Sequence, residues 1–164
     1  MFNANLKIKK SKSGMGNGVF TEVDIPAKKP IIQITGEIHT KKTMPEPNHP
    51  AWYQISPTLF IGPSGTYDDY VNHSCDPNSY LHIVGKRAVL YSLFLIKAGT
   101  EITFDYSTTS TESLDERNMM CCCGSPKCRK IISGYQYLDP LLKKQYESRG
   151  MIPMYLTNPM FKGT

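Results

Sequence analysis

Four of the five cysteines crowd into eight consecutive positions, Cys121-Cys122-Cys123-Gly124-Ser125-Pro126-Lys127-Cys128. The fifth, Cys75, stands far upstream in Asn72-His73-Ser74-Cys75-Asp76-Pro77-Asn78. Met1 to Lys12 holds no apolar stretch of the kind that directs export, and no run is long enough to span a bilayer. The chain is therefore expected to stay inside a cell, where thiols remain reduced. Crowded cysteines in a reducing compartment point to metal rather than to disulfides. We expect Cys75 to join the cluster on one metal ion, which would tie the upstream loop to the C-terminal segment and fix the topology between them.

The upstream stretch is dense in hydrogen-bonding side chains. Asp76-Pro77 is a turn signal, so residues 72–78 read as a polar loop. At 164 residues the chain suffices for one domain with a real core. The formal charge of +5 predicts only weak affinity for acidic surfaces. A basic run at Lys7, Lys9, Lys10 and Lys12 admits a nucleic-acid contact, but a solvated strand and turn is the better reading.

In order, Leu6 and Ile8 alternate with lysines as a first strand. Gly14, Gly16 and Gly18 recur at every second position before a strand over Val19 to Val23. From spacing alone this is a plain β-turn, because no helix follows and the dinucleotide fingerprint is absent. Ile31 to Ile38 reads as one strand and His39 to Pro50 as a surface loop. Trp52 to Ile55 and Leu59 to Ile61 are short strands. Tyr80 to Val84 and Arg87 to Leu95 form a hairpin across Gly85-Lys86. Glu101 to Tyr106 is another strand, and Ser107 to Asn118 reads as a polar, mobile connector. Asp139 caps a helix with Pro140 at its first position, running to Gly150. The tail to Thr164 reads as irregular. Many short strands, few helices and one metal cluster make a mainly β chain.

Four segments, in this order, resemble the SET-domain protein lysine methyltransferases: Gly16-Asn17-Gly18-Val19-Phe20, then Asn72 to Asn78, then Gly99-Thr100-Glu101-Ile102-Thr103-Phe104-Asp105-Tyr106, then Cys121-x-Cys123-Gly124-x-x-x-Cys128-Arg129. The resemblance covers roughly residues 5 to 135. It implies a SET-domain (β-clip) fold of small curled sheets with a C-terminal pseudoknot, in which the C-terminal strand region threads beneath a loop. The implied division is a SET domain over 1–118, a post-SET zinc-binding segment over 119–135, and a C-terminal helix and tail over 136–164.

The resemblance further implies S-adenosyl-methionine as methyl donor, a protein lysine as acceptor and a structural zinc ion. Cys75, Cys121, Cys123 and Cys128 would hold the zinc, although the adjacent Cys121-Cys122-Cys123 leaves a shifted register with Cys122 open. Met15, Gly16, Asn17, Gly18, Tyr70, Asn72 and His73 would line the cofactor site, Asn72 through its side chain and His73 largely through its backbone. Tyr106 would orient the amine, Tyr53 would line the lysine channel, and Phe104 would leave room for di- or trimethylation. Asp69-Tyr70 stands where the family often has an arginine-aromatic pair, and Lys130 where a glycine is usual.

The expected activity is lysine N-methylation of a protein tail or peptide, with a histone lysine foremost. The alternatives are a non-histone target, such as a ribosomal, host or partner protein, and a zinc-stabilised binding module without catalysis. The expected location is the nucleus in a eukaryote and the cytoplasm in a bacterium, with no membrane partner and nucleic acid at most weakly bound. The oligomeric state is left open.

Overall fold

A computed structural model describes residues 5–11, 14–47, 49–112 and 119–158. β1 (Leu6–Lys10) and β2 (Asn17–Thr21) form an antiparallel hairpin. β3 (Pro30–Gln33) enters a three-stranded sheet, whereas β4 (Ile38–His39) joins another with β5 (Tyr53–Gln54) and β6 (Phe60–Ile61). β7 (Asn72–His73) precedes the long hairpin of β8 (Ser79–Val84) and β9 (Arg87–Ser92). β9 pairs β3 on its other side. β10 (Thr103–Phe104) lies parallel to β7, with Thr103 opposite Asn72 and Phe104 opposite His73. β11 (Met119–Met120) and β12 (Ile131–Ile132) make a small ribbon around the cysteine cluster. The helices α1 (Pro140–Ser148) and α2 (Met154–Thr157) close the described chain.

One apolar cluster holds these sheets together. Val19, Ile31, Ile34, Leu81, Leu90, Ile96 and Ile102 are all buried in it. Strands too short to be stable alone are held by this shared burial, not by their own ladders.

Several expectations need correction. The strand expected over Ile31 to Ile38 is two strands in different sheets. Gly36 breaks it with φ of +114°, where a Cβ would sit 2.7 Å from the Gly62 Cα. The strand expected over Glu101 to Tyr106 shrinks to two residues. The Asp105 carboxylate accepts from the Ser107 N–H at 3.0 Å and caps a 3-10 turn over Tyr106–Thr108, competing with the ladder. Asn72 and His73, read as loop, pair as β7. The strand expected over Val19 to Val23 starts at Asn17 and stops at Thr21, whose hydroxyl donates to the Val23 carbonyl at 2.6 Å.

The connector expected to be mobile is partly core. Ser107, Thr108, Thr109 and Ser110 are buried, while 113–118 lie outside the described residues. The tail is not wholly irregular either. Tyr155 of α2 is buried, and its hydroxyl lies within hydrogen-bond reach of the Gln54 and Thr109 carbonyls. The α1 start follows the sequence rule: Asp139 accepts from Leu141 N–H at 2.9 Å and from Leu142 N–H at 3.3 Å.

Candidate active site

The parallel pairing of β7 and β10 puts the two motif segments side by side and generates the site. Above them opens a cavity of about 510 Å³. Met15, Asn17, Tyr70, Asn72 and His73 line it, together with Tyr53, Phe104 and Tyr106. Eight of the expected cofactor and channel residues thus share one space. Gly16 and Gly18 do not line it. Gly16 makes the turn with φ of +78°, and a Cβ on Gly18 would fall 2.1 Å from Glu101 Oε1. The glycines shape the loop, and Met15 and Asn17 present it.

Three aromatic rings form one wall. Tyr53 stacks on Phe104 with ring centres 5.7 Å apart, and Phe104 meets Tyr106 at 4.9 Å. The Tyr106 hydroxyl donates to the Val71 carbonyl at 2.7 Å, which fixes where the phenol points. The Tyr53 hydroxyl donates to the Asp68 carbonyl. Burial, the nearby Tyr106 and the carboxylates of Asp68 and Asp69 push the Tyr53 phenol well above its ordinary pKa. Tyr53 therefore stays neutral and polar-capped, a wall rather than a base. Tyr91 is not in this wall; it packs on Tyr80 and His82 across the β8–β9 hairpin.

At the other end, Asn72 Nδ2 donates to Glu101 Oε1 at 2.7 Å and to the Asn17 carbonyl at 3.0 Å. These two acceptors fix which way the amide points. Its oxygen has no partner among the described residues and suits a cationic donor such as an ammonium. Asp69 also borders the cavity, but its carboxylate accepts from the Gly65 N–H at 2.7 Å and the Ser64 N–H at 2.9 Å. Its charge caps the 62–65 turn, which accounts for an acid at this place.

The four thiols of Cys75, Cys121, Cys123 and Cys128 converge, with all sulfurs within 4.8 Å of one another. Cys122 is exposed and lies outside the group. The donor set is that of a closed tetrathiolate metal site. Backbone geometry fits thiolates as well: Arg129 N–H donates to Cys75 Sγ at 3.4 Å. Burial pushes the metal-free Cys75 thiol up to about 11, against the opposing N–H and charge of Arg129. Burial also raises Cys121. For Cys123 burial acts upward too, but N–H donors at Cys75 and Ser125 and the neighbouring thiols outweigh it and hold the pKa at about 7.

Sequence reasoning missed a second set of residues. Asp105 is fully buried and accepts from Arg129 at 2.7 and 2.8 Å and from the Tyr146 hydroxyl at 3.0 Å. Gln54 grips Thr111, accepting from its N–H at 2.9 Å and donating to its hydroxyl at 2.8 Å. Thr109, Ser110 and Gln54 border the cavity, so α2, through Tyr155, braces its wall from behind. The one local signal was Asp105 itself, an acid between two aromatics in a strand pattern.

Residues 16–107, more than half of the chain, match the family model described as the SET domain. The chain belongs to the SET-domain family. Its relatives include the histone-lysine N-methyltransferase trithorax of Drosophila virilis, 26% identical over 133 residues, covering 72% of this chain and 3% of that protein. The H3 lysine-36 specific histone-lysine N-methyltransferase of Mus musculus is 41% identical over 88 residues, covering 51% of this chain and 3% of that protein. A crystal structure of KRYPTONITE in complex with mCHH DNA, an H3(1-15) peptide and SAH superposes with a TM-score of 0.65 at 25% identity, covering 80% of this chain and 30% of that one. This SET domain therefore spans only a small part of the relatives it matches. The mainly β architecture of small sheets with a short C-terminal helix is that of the family. Among the described residues no helix is long and apolar enough to cross a membrane.

Proposed function

We propose that this SET domain transfers methyl groups from S-adenosyl-methionine to a lysine side chain of a protein, with a histone tail as the foremost substrate. The observation that carries the reading is the Tyr53–Phe104–Tyr106 ring wall, which opens into the same cavity as Met15, Asn17 and Asn72. An aromatic slot and a polar cradle meet there, as a reaction between an amine and an amino-acid-bearing cofactor requires. The histone assignment rests on relatives named as histone methyltransferases and on a neighbour holding an H3 peptide. It carries a nuclear location with it for a eukaryotic source.

When bound, S-adenosyl-methionine supplies a methyl group activated on a sulfonium. Asn72 would accept from its ammonium, and the backbone at Met15 to Gly18, with Tyr70 and His73, would hold the rest. A lysine near its free pKa of about 10.4 is mostly ammonium and has no lone pair. The ring wall favours the neutral amine by disfavouring its charge, and the proton it loses passes to water before transfer. Tyr106 then accepts an N–H of that amine and aims the lone pair along the transfer axis. Alignment of this kind supplies most of the rate in a displacement. Phe104 carries no hydroxyl to crowd the amine, so we assign di- or trimethylation to this chain.

The four cysteines would hold zinc in a structural role, with no open coordination position. We divide the chain accordingly into a SET domain over 1–118, a post-SET segment over 119–135 and a bracing helix and tail over 136–164. The test is methyl transfer to histones and to a whole-cell extract from labelled S-adenosyl-methionine. Labelling of extract alone moves the substrate away from histones. Cofactor binding without transfer to either supports the binding-module alternative.

A further inference from the structure

His73 is 1% exposed, and both of its ring nitrogens are engaged. The Tyr106 backbone N–H donates to Nδ1 at 3.2 Å. A backbone amide can only donate, so Nδ1 accepts and the ring proton sits on Nε2. Nε2 stands 3.2 Å from Cys75 Sγ. Asp105 Oδ1 lies 3.5 Å from Nδ1. Asp105 is already filled by Arg129, the Ser107 N–H and Tyr146, and it cannot donate to Nδ1 as a carboxylate. The imidazole also lies edge-on to the Tyr106 ring, with centres 5.3 Å apart.

We propose that His73 is a positioning residue that links the metal cluster to the substrate-facing tyrosine. Its Nε2–H donates to the Cys75 thiolate, while its Nδ1 holds the backbone of Tyr106. This rests on the reading of the four cysteines as a metal site. An N–H···S bond neutralises part of the thiolate charge and orients the sulfur toward the metal. Outer-shell donors of this kind typically carry about 10- to 100-fold in metal affinity. The same ring supports the turn at Tyr106–Thr108, so loss of metal is transmitted to the site through this side chain as well as through the backbone that carries the cysteines. The sequence motif thus has a use for its histidine without any ring contact to the cofactor.

The test is NMR on the full chain loaded with cadmium-113 in place of the native metal. The expected result is one cadmium per chain in an all-thiolate environment, an Nε2–H tautomer for His73, and a proton–cadmium correlation at Hε2 transmitted through the hydrogen bond. Cadmium bound by four thiolates with His73 protonated on Nδ1, or with no Hε2 correlation, overturns the role of His73 and leaves the metal site standing. Failure to bind one cadmium through thiolates overturns both. In a chelator competition, His73→Gln is expected to retain metal about 10- to 100-fold less well than wild type. Equal retention in a folded variant contradicts the proposal.

Discussion

Arg129 grips Asp105 with two parallel hydrogen bonds, Nη1 to Oδ2 at 2.7 Å and Nη2 to Oδ1 at 2.8 Å. Asp105 is fully buried, one residue before Tyr106, and Arg129 follows the last cysteine of the cluster. The pair therefore clamps the cysteine segment onto the strand that delivers the tyrosine. Burial works against the guanidinium charge, but the carboxylate outweighs it and raises the Arg129 pKa. Removing one partner leaves a buried charge. Arg129→Met is expected to lose about 3–5 kcal/mol in urea unfolding of the metal-loaded protein. A loss below about 1 kcal/mol, the range of an exposed pair, would contradict the clamp.

Metal removal should change which cysteine reacts. With metal bound, alkylation at pH 8 is expected at the exposed Cys122 alone, read by peptide mass spectrometry. After chelation, Cys123 should join it at pH 8, above its pKa of about 7, and should slow markedly at pH 6, where it is protonated. Cys75, pushed up to about 11, stays protonated at both values. The metal must displace these protons, so metal affinity is expected to fall as pH falls. Equal labelling of all five cysteines in the loaded protein would contradict a four-cysteine site.

The brace behind the cavity is testable at Tyr155. Its hydroxyl reaches two buried carbonyls, of Gln54 and Thr109. Tyr155→Phe removes that donor and is expected to cost about 1–3 kcal/mol in chemical denaturation. An unchanged midpoint would mean that α2 merely rests on the surface.

The proposed di- or trimethylation rests on the space beside Phe104, which lies 4.9 Å from Tyr106 and 5.7 Å from Tyr53, centre to centre. Phe104→Tyr adds a hydroxyl to that slot. The expected outcome, by mass spectrometry of a methylated peptide at long times, is a shift from di- or trimethyl toward monomethyl product. A wild-type enzyme that stops at monomethyl would contradict the reading of Phe104.

The local part of this account was legible in the sequence. The β8–β9 hairpin, the Asp139 cap and the cluster of Cys75 with the C-terminal cysteines follow from turn chemistry, capping and thiol crowding, all nearby or compositional signals. The motif resemblance supplied what distance hides, that Asn72 and Tyr106 belong to one site, and both line the same cavity. What stayed illegible is polar burial at long range. Ser107 to Ser110 look like solvent-facing residues, but Tyr155 and Tyr135 donate to the Thr109 and Ser110 carbonyls from segments far off in the chain. No periodicity marks such partners, because each bond joins one residue to one carbonyl or carboxylate. Gly36 was likewise hidden within an apolar run, where its positive φ is set by the close Gly62 backbone.

The most direct test of the central claim is transfer of labelled methyl from S-adenosyl-methionine to histones, with wild type beside Tyr106→Phe. The Tyr106 hydroxyl contributes one hydrogen bond to the Val71 carbonyl, so the variant is expected to fold at a cost of about 1 kcal/mol. Cofactor binding should be unchanged, and the transfer rate should drop about 100-fold, as when one oriented polar group is removed from a site. A folded Tyr106→Phe variant that transfers methyl at the wild-type rate would contradict the account.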